Sequence, residues 1–108
     1  MAHTPATVLC PTPPDRLVDA AGRPYFLWDT AGVDLAALRE RLADPDATVR
    51  GYWMGKVLRQ AKPDDALTFV SWRQIDESWP LLEPHLGRSR AFWAWFLRAW
   101  RQAHDARR

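Results

Sequence analysis

From residue 35 onward the apolar positions of this chain recur at three- and four-residue spacing, in short blocks cut by proline and glycine. Leu35, Leu38 and Leu42 fall on one stripe behind Asp34, a good N-cap, and the pattern stops at Asp44-Pro45. The spacing predicts a second helix from there to about Ala61, capped by Asp44, with Pro45 at its first position and Asp46 near the positive end of its dipole. Val49, Trp53 and Val57 lie on one face of this helix and Met54, Leu58 and Ala61 on another, and Tyr52 broadens the surface further. A helix apolar over so much of its circumference belongs at the centre of a fold. Gly51 and Gly55 cost it roughly 1 kcal/mol each in propensity. Close packing of a helix or an indole ring would account for them. They sit inside a helical pattern and not after a strand, so they do not form a phosphate loop.

Lys62-Pro63 ends that helix, and Asp64 and Asp65 start a short helix or turn carrying Ala66, Leu67, Phe69 and Val70. Ser71-Trp72-Arg73-Gln74 has the form of a capping box. The helix it opens aligns Ile75, Trp79, Leu82 and Leu86, and Pro80 predicts a kink or break within it. Gly87 is a natural stop. The last helix runs from about Ser89 to His104, with Phe92, Trp93, Phe96, Leu97 and Trp100 on one broad apolar face and Trp95 projecting elsewhere. Upstream, five of the first 24 residues are proline, which predicts an extended or disordered tail. The chain then turns sharply apolar at Pro24-Tyr25-Phe26-Leu27-Trp28, an extended segment expected to dock on the helices. No strand or hairpin pattern appears elsewhere. The expectation is an all-α protein: one small domain of four to five short helices over residues 25–108, preceded by a Pro-rich tail over 1–24. The start of the second helix, Asp-Pro-Asp-x-x-Val-Arg, resembles one HEAT-type repeat, but nothing recurs at a period of ~40 residues, so no solenoid is expected.

The chain has 108 residues, room for one domain, and no apolar run near the ~18–20 residues that cross a bilayer. No charged segment precedes an apolar one at the start, so a cytoplasmic location without membrane contact is expected. The single cysteine, Cys10, cannot form an internal disulfide and reads as a bystander thiol. Tryptophan changes the picture more: there are seven, at positions 28, 53, 72, 79, 93, 95 and 100. One or two anchor most cores of this size, and large aromatics with a polar handle are favoured where protein surfaces meet. An unusually aromatic core is the competing explanation. Charge is also uneven. Residues 1–87 hold nine Lys/Arg against twelve Asp/Glu, whereas residues 88–108 hold six Arg against Asp105 alone. That basic end can meet an acidic protein surface or nucleic acid, or simply complement the dipole of a C-terminal helix.

Catalytic chemistry finds little support. The histidines, His3, His85 and His104, are scattered and lack metal-ligand spacing, so no metal is expected. Cys10 and Ser71 have no evident base. The pairs Asp64/Asp65 and Asp76/Glu77 are adjacent, and neighbours on a helix diverge by about 100°. No Walker loop or dinucleotide fingerprint is present. The expectation is a non-enzymatic protein without a cofactor. Nucleic-acid binding through Arg88, Arg90, Arg98 and Arg101 is the alternative. The polar positions of that helix are mostly arginines, which would supply mainly non-specific affinity.

At the second helix the residues become specific enough to compare. Phe26-Leu27-Trp28-Asp29, Leu42-Ala43-Asp44-Pro45-Asp46, Val49-Arg50, Tyr52-Trp53, Gly55-Lys56 and Leu58-Arg59-Gln60-Ala61 resemble a family of small uncharacterised bacterial proteins. The likeness continues through Phe69-Val70, Ile75, Trp79-Pro80, Leu86-Gly87-Arg88-Ser89-Arg90 and Trp93, covering about residues 25–100. Members of that family look like companions of nucleotidyltransferases of the abortive-infection, AbiE-like type, encoded beside them. The resemblance implies an antitoxin or accessory protein that masks such a toxin. It departs at the longer Pro-rich leader and at the Asp29-to-Leu35 link. The partner-binding residues implied are Arg50, Tyr52, Lys56, Arg59 and Gln60 on the second helix, joined by Trp28, Trp72 and Trp95 as exposed aromatics. Arginines would pair with acidic groups of the partner and indoles would act as buried anchors.

Overall fold

Capping side chains set three of the helix starts in the computed structural model, which describes residues 10–105 except Ala31. Six α-helices appear among the described residues: α1 (Pro14–Leu17), α2 (Leu35–Leu42), α3 (Ala47–Gln60), α4 (Pro63–Phe69), α5 (Trp72–Leu82) and α6 (Arg90–Asp105). Single 3-10 turns occupy Tyr25–Leu27, Glu83–His85 and Gly87–Ser89. The expected all-α single domain is thus observed, with one helical turn, α1, added upstream.

Asp34 caps α2 by accepting the Ala37 N–H at 2.8 Å. The expected capping box of α5 is complete: the Gln74 N–H reaches Ser71 Oγ at 3.1 Å and the Ser71 N–H reaches Gln74 Oε1 at 2.8 Å. The start of α3 differs from expectation. Its N-cap is Asp46, accepting the Thr48 N–H at 2.8 Å, and not Asp44. The Arg50 guanidinium takes the Asp44 and Pro45 carbonyls at 2.6 and 3.0 Å, so those oxygens serve the loop and the helix begins two residues later. Pro80 does not break α5 where it stands. The helix continues to Leu82 before tightening into the 3-10 turn Glu83–His85. Gly87, at φ +54°, then redirects the chain into α6.

The central position of α3 is as expected. Met54, Val57 and Leu58 are buried against Leu38 and Leu42 of α2, Ala66 of α4, and Ile75, Leu82 and Leu86. Its two glycines permit a close approach of the α5 end. A Cβ on Gly51 would stand 2.6 Å from Leu81 Cβ, and one on Gly55 would stand 2.7 Å from His85 Cβ and 2.8 Å from the Leu82 carbonyl oxygen. The end of α5 and the turn after it therefore lie directly on the α3 backbone. On the other side of this seam α6 docks through Trp93, whose indole Nε1 donates to the Leu58 carbonyl at 2.8 Å in a fully buried site. Trp72 packs edge-on to Phe96 and stacks on Trp100, with ring centroids 4.8 and 6.1 Å apart.

The upstream segment corrects two expectations. Phe26 and Leu27 do dock on the helices, but as a 3-10 turn and not an extended run. A strand would send two consecutive side chains to opposite faces, whereas here both are buried. Residues 10–24, expected as tail, lie on the body; residues 1–9 fall outside the described part. Prolines keep this segment out of long helices, but Cys10 and Thr12 retain N–H groups that reach α4. The Cys10 N–H donates to Asp64 at 3.0 Å. Buried Asp65 accepts the Thr12 N–H, the Thr12 hydroxyl and the Tyr25 hydroxyl, each at 2.6 Å. Tyr25 Oη in turn accepts the Lys62 N–H at 2.9 Å. Leu17 packs on the core, and Val18 and Pro24 make one antiparallel bridge.

Burial alone would push the Asp65 carboxyl up, but the hydrogen bonds from Thr12 and Tyr25 outweigh it and hold the group below the usual aspartate value. A carboxyl lowered in the folded state contributes stability that is complete above its unfolded pKa, near 3.9, and is lost as pH falls through the folded pKa. Asp65→Asn is accordingly expected to lower unfolding free energy at pH 7 by about 1–3 kcal/mol, a difference that narrows in acid. Urea melts at pH 7 and pH 3 measure both, and hydrogen exchange at Thr12 reports release of the segment. For the glycines, Ala in a helix interior ordinarily stabilises by up to about 1 kcal/mol. Gly55→Ala is expected to reverse that sign and cost about 1–3 kcal/mol through overpacking, again read by urea unfolding.

Candidate functional site

The eight residues expected to bind a partner separate into three groups. The first surrounds Asp29. Lys56 is only 5% exposed, and its Nζ donates to Asp29 Oδ2 at 3.1 Å. Desolvation pushes the Asp29 carboxyl up, but hydrogen bonds from Lys56 and Thr30, with the Gln60 amide nearby, hold it below the usual value. Trp28, next in the chain, stands 77% exposed. Lys56 therefore belongs to the framework: it fixes the 25–30 segment onto α3 and is not available as a surface contact. Gln60 is half-buried beside the same pair, and its Oε1 is buried without a hydrogen-bond partner.

Tyr52 anchors the second group. It is 42% exposed and meets Trp53 and His85 edge-on, with centroids at 5.4 and 5.0 Å. Trp53 in turn lies under the Arg41 guanidinium at 5.0 Å. Leu81, exposed above Gly51, borders this patch. Arg59 is exposed, with its Cδ lying near Gly87. Arg50 is half-buried and engaged by the two loop carbonyls before α3, which leaves it as a loop clasp.

The third group lies along α6 and contains one correction. Trp72, expected as an exposed aromatic, is 7% exposed. As the first residue of α5 it is turned under α6, where Trp93, Phe96 and Trp100 enclose it. Its Nε1 is buried without a hydrogen-bond partner. Trp95 is 59% exposed, as its position off the apolar face predicted, and its ring lies 5.8 Å from Phe96. Phe92, read as part of that apolar face, is 41% exposed and packs on Trp93 and Phe96. The sequence did carry the signal: the apolar side chains of α6 spread too far around the helix for one core contact to cover them.

Of the four arginines considered for nucleic acid, two are committed. Arg90 pairs with Glu83 at 2.6 Å and Arg101 with Asp76 at 2.6 Å. Arg88 and Arg98 are exposed and make no ion pair among the described residues.

A cleft of about 230 Å³ opens between α2, α4 and α5, lined by Arg39, Leu42, Ala43, Thr68, Phe69 and Gln74. Arg39 is its only ionisable lining residue, so it offers no nucleophile with a base beside it. Among the described residues no group of three or more His, Cys, Asp and Glu is placed to hold a metal ion, and no helix is long and apolar enough to cross a membrane. Neither a protein-family model nor a curated protein nor a solved structure matches the chain.

Framework and surface roles on α3 separate experimentally. Lys56→Glu would set a second carboxylate, buried, beside Asp29 and is expected to lower the melting temperature clearly. Arg59→Glu, on an exposed side chain, is expected to leave it within a degree or two. Thermal melts of the two variants side by side provide the check.

Proposed function

We propose that the protein is a non-enzymatic binding module that docks on another protein through exposed aromatic side chains. The observation that carries this reading is the division of the tryptophans. Trp72 and Trp93 are buried and Trp53, Trp79 and Trp100 are half-buried, while Trp28 and Trp95 stand mostly in solvent. The fold thus takes up five indoles and leaves two whose exposure does nothing for its own stability. An exposed indole is costly in water and strongly favoured in a desolvated interface, where Trp and Arg dominate binding energy. The role that fits the resemblance drawn from the sequence is that of an antitoxin or accessory subunit masking a nucleotidyltransferase-type toxin.

The ion pairs of α6 favour this reading over nucleic-acid binding. With Arg90 and Arg101 held by Glu83 and Asp76, two of the four candidate arginines are already neutralised. The test is recovery of tagged protein from its native cells, washed at high salt, with Trp95→Ala and Trp28→Ala as parallel baits. One stoichiometric protein is expected, and an indole at the contact should weaken its capture about tenfold or more when removed. Nucleic acid held only at low salt, with no protein partner, would replace this reading with the alternative.

A further inference from the structure

We propose that the outer face of α6 receives an amphipathic helix of a partner protein, one whose aliphatic stripe is bordered by Asp or Glu. This rests on the protein-binding reading above and specifies its surface and the chemistry of what it binds.

The geometry starts from the helix itself. At about 100° per residue, the apolar side chains of α6, from Trp95 round to Leu97, cover roughly 200° of its circumference. The core uses only part of that arc: Trp93 and Leu97 are buried, with Trp100 half-buried beside them. The remainder forms a second apolar face, with Phe92, Trp95 and Ala103 exposed and Ala99 half-buried between them. A surface helix normally has one such stripe, turned to its own core. Here a large ridge, Phe92 and Trp95, is followed one and two turns later by the small Ala99 and Ala103. Large residues beside small ones form the ridge and groove into which another helix packs. α6 has its backbone bonds closed within the helix and offers no strand edge, so an added strand has nothing to pair with.

Charge selects the partner. Arg98, one turn beyond Trp95, and Arg88, just before the helix, are exposed and make no ion pair among the described residues. They flank the aromatic ridge, where carboxylates at the edge of an incoming helix would meet them as charge-assisted pairs. A polyanionic surface is a poorer match. Residues 1–87 carry nine basic against twelve acidic side chains, so the body would be repelled by a lipid bilayer or nucleic acid broad enough to reach past α6. A second copy is disfavoured as well, because pairing two α6 faces would bring Arg98 toward its own equivalent.

The experiment places a photo-crosslinking benzoylphenylalanine at position 95 of the full chain in native cells, with the same residue at Trp28 and at exposed Ala36 of α2 as comparisons. Crosslinked peptides are then sequenced. The expected product at position 95 is one protein segment with apolar residues at helical spacing and a carboxylate within a turn of the attachment point. Arg98→Glu is expected to lower its yield about tenfold, while Arg98→Lys retains most of it. Circular dichroism of both variants should match the parent. Crosslinking at position 95 to lipid, nucleic acid, a second copy or a segment lacking carboxylates overturns the inference. Crosslinking to a protein at position 28 and not at 95 overturns it too, yet leaves the binding-module reading standing. No protein adduct at either position overturns both.

Discussion

The fold hangs on the contact between two glycines of one helix and the end of another. Gly51 and Gly55 of α3 bring its backbone against Leu81, Leu82 and His85 so closely that a methyl group at either position would stand under 3 Å from its neighbour. Everything downstream inherits its place from that seam. Leu82 and Leu86 are buried because the chain is drawn in there, and α6 is launched from Gly87 immediately afterwards. The Trp93 indole then closes the arrangement on the Leu58 carbonyl, three residues beyond Gly55 on the same central helix. One helix therefore carries both the glycine contact with α5 and the buried hydrogen bond to α6.

Polar side chains near the core are spent on holding loops. Arg50 clasps the carbonyls of the α2–α3 connection, Lys56 draws in the 25–30 segment through Asp29, and Asp65 collects three donors from residues 12 and 25. In each case a charged group meets a complementary partner with good geometry, as a buried charge requires. Outside this framework Trp28, Trp95, Phe92, Arg88 and Arg98 stand exposed.

Much of the architecture was legible in the sequence because it is written in local chemistry. The capping box at Ser71, the cap at Asp34 and the break at Lys62-Pro63 each act within a few residues, so local spacing located these helices. The misplacements arose where a distant partner decided. Asp44 lost the N-cap role to Asp46 because Arg50, six residues on, claimed its carbonyl. Residues 10–24 read as tail because nothing local shows that Asp65, more than fifty positions away, will bind Thr12. The candidate site was legible only in part for the same reason. Helical periodicity put Trp95 off the apolar face, and it is exposed. Trp72 and Lys56 lie inward because of α6 and Asp29, neither of which shows in their own neighbourhood. Phe92 escaped because periodicity identifies an apolar face without saying how much of it a neighbour will cover.

The strap fixed by Asp65 also constrains the order of events while the chain folds. Thr12 and Tyr25 are synthesised 53 and 40 residues before Asp65, so the earlier part must wait for a later part before it can settle. Closing so wide a loop costs more entropy than forming any of the neighbouring helix contacts, and contacts distant in sequence slow folding. Tyr25 and Phe26 thus lack their α4 partners, Asp65 and Phe69, until that helix has been made. Residues 12–25 form a strap whose anchor is made well after it.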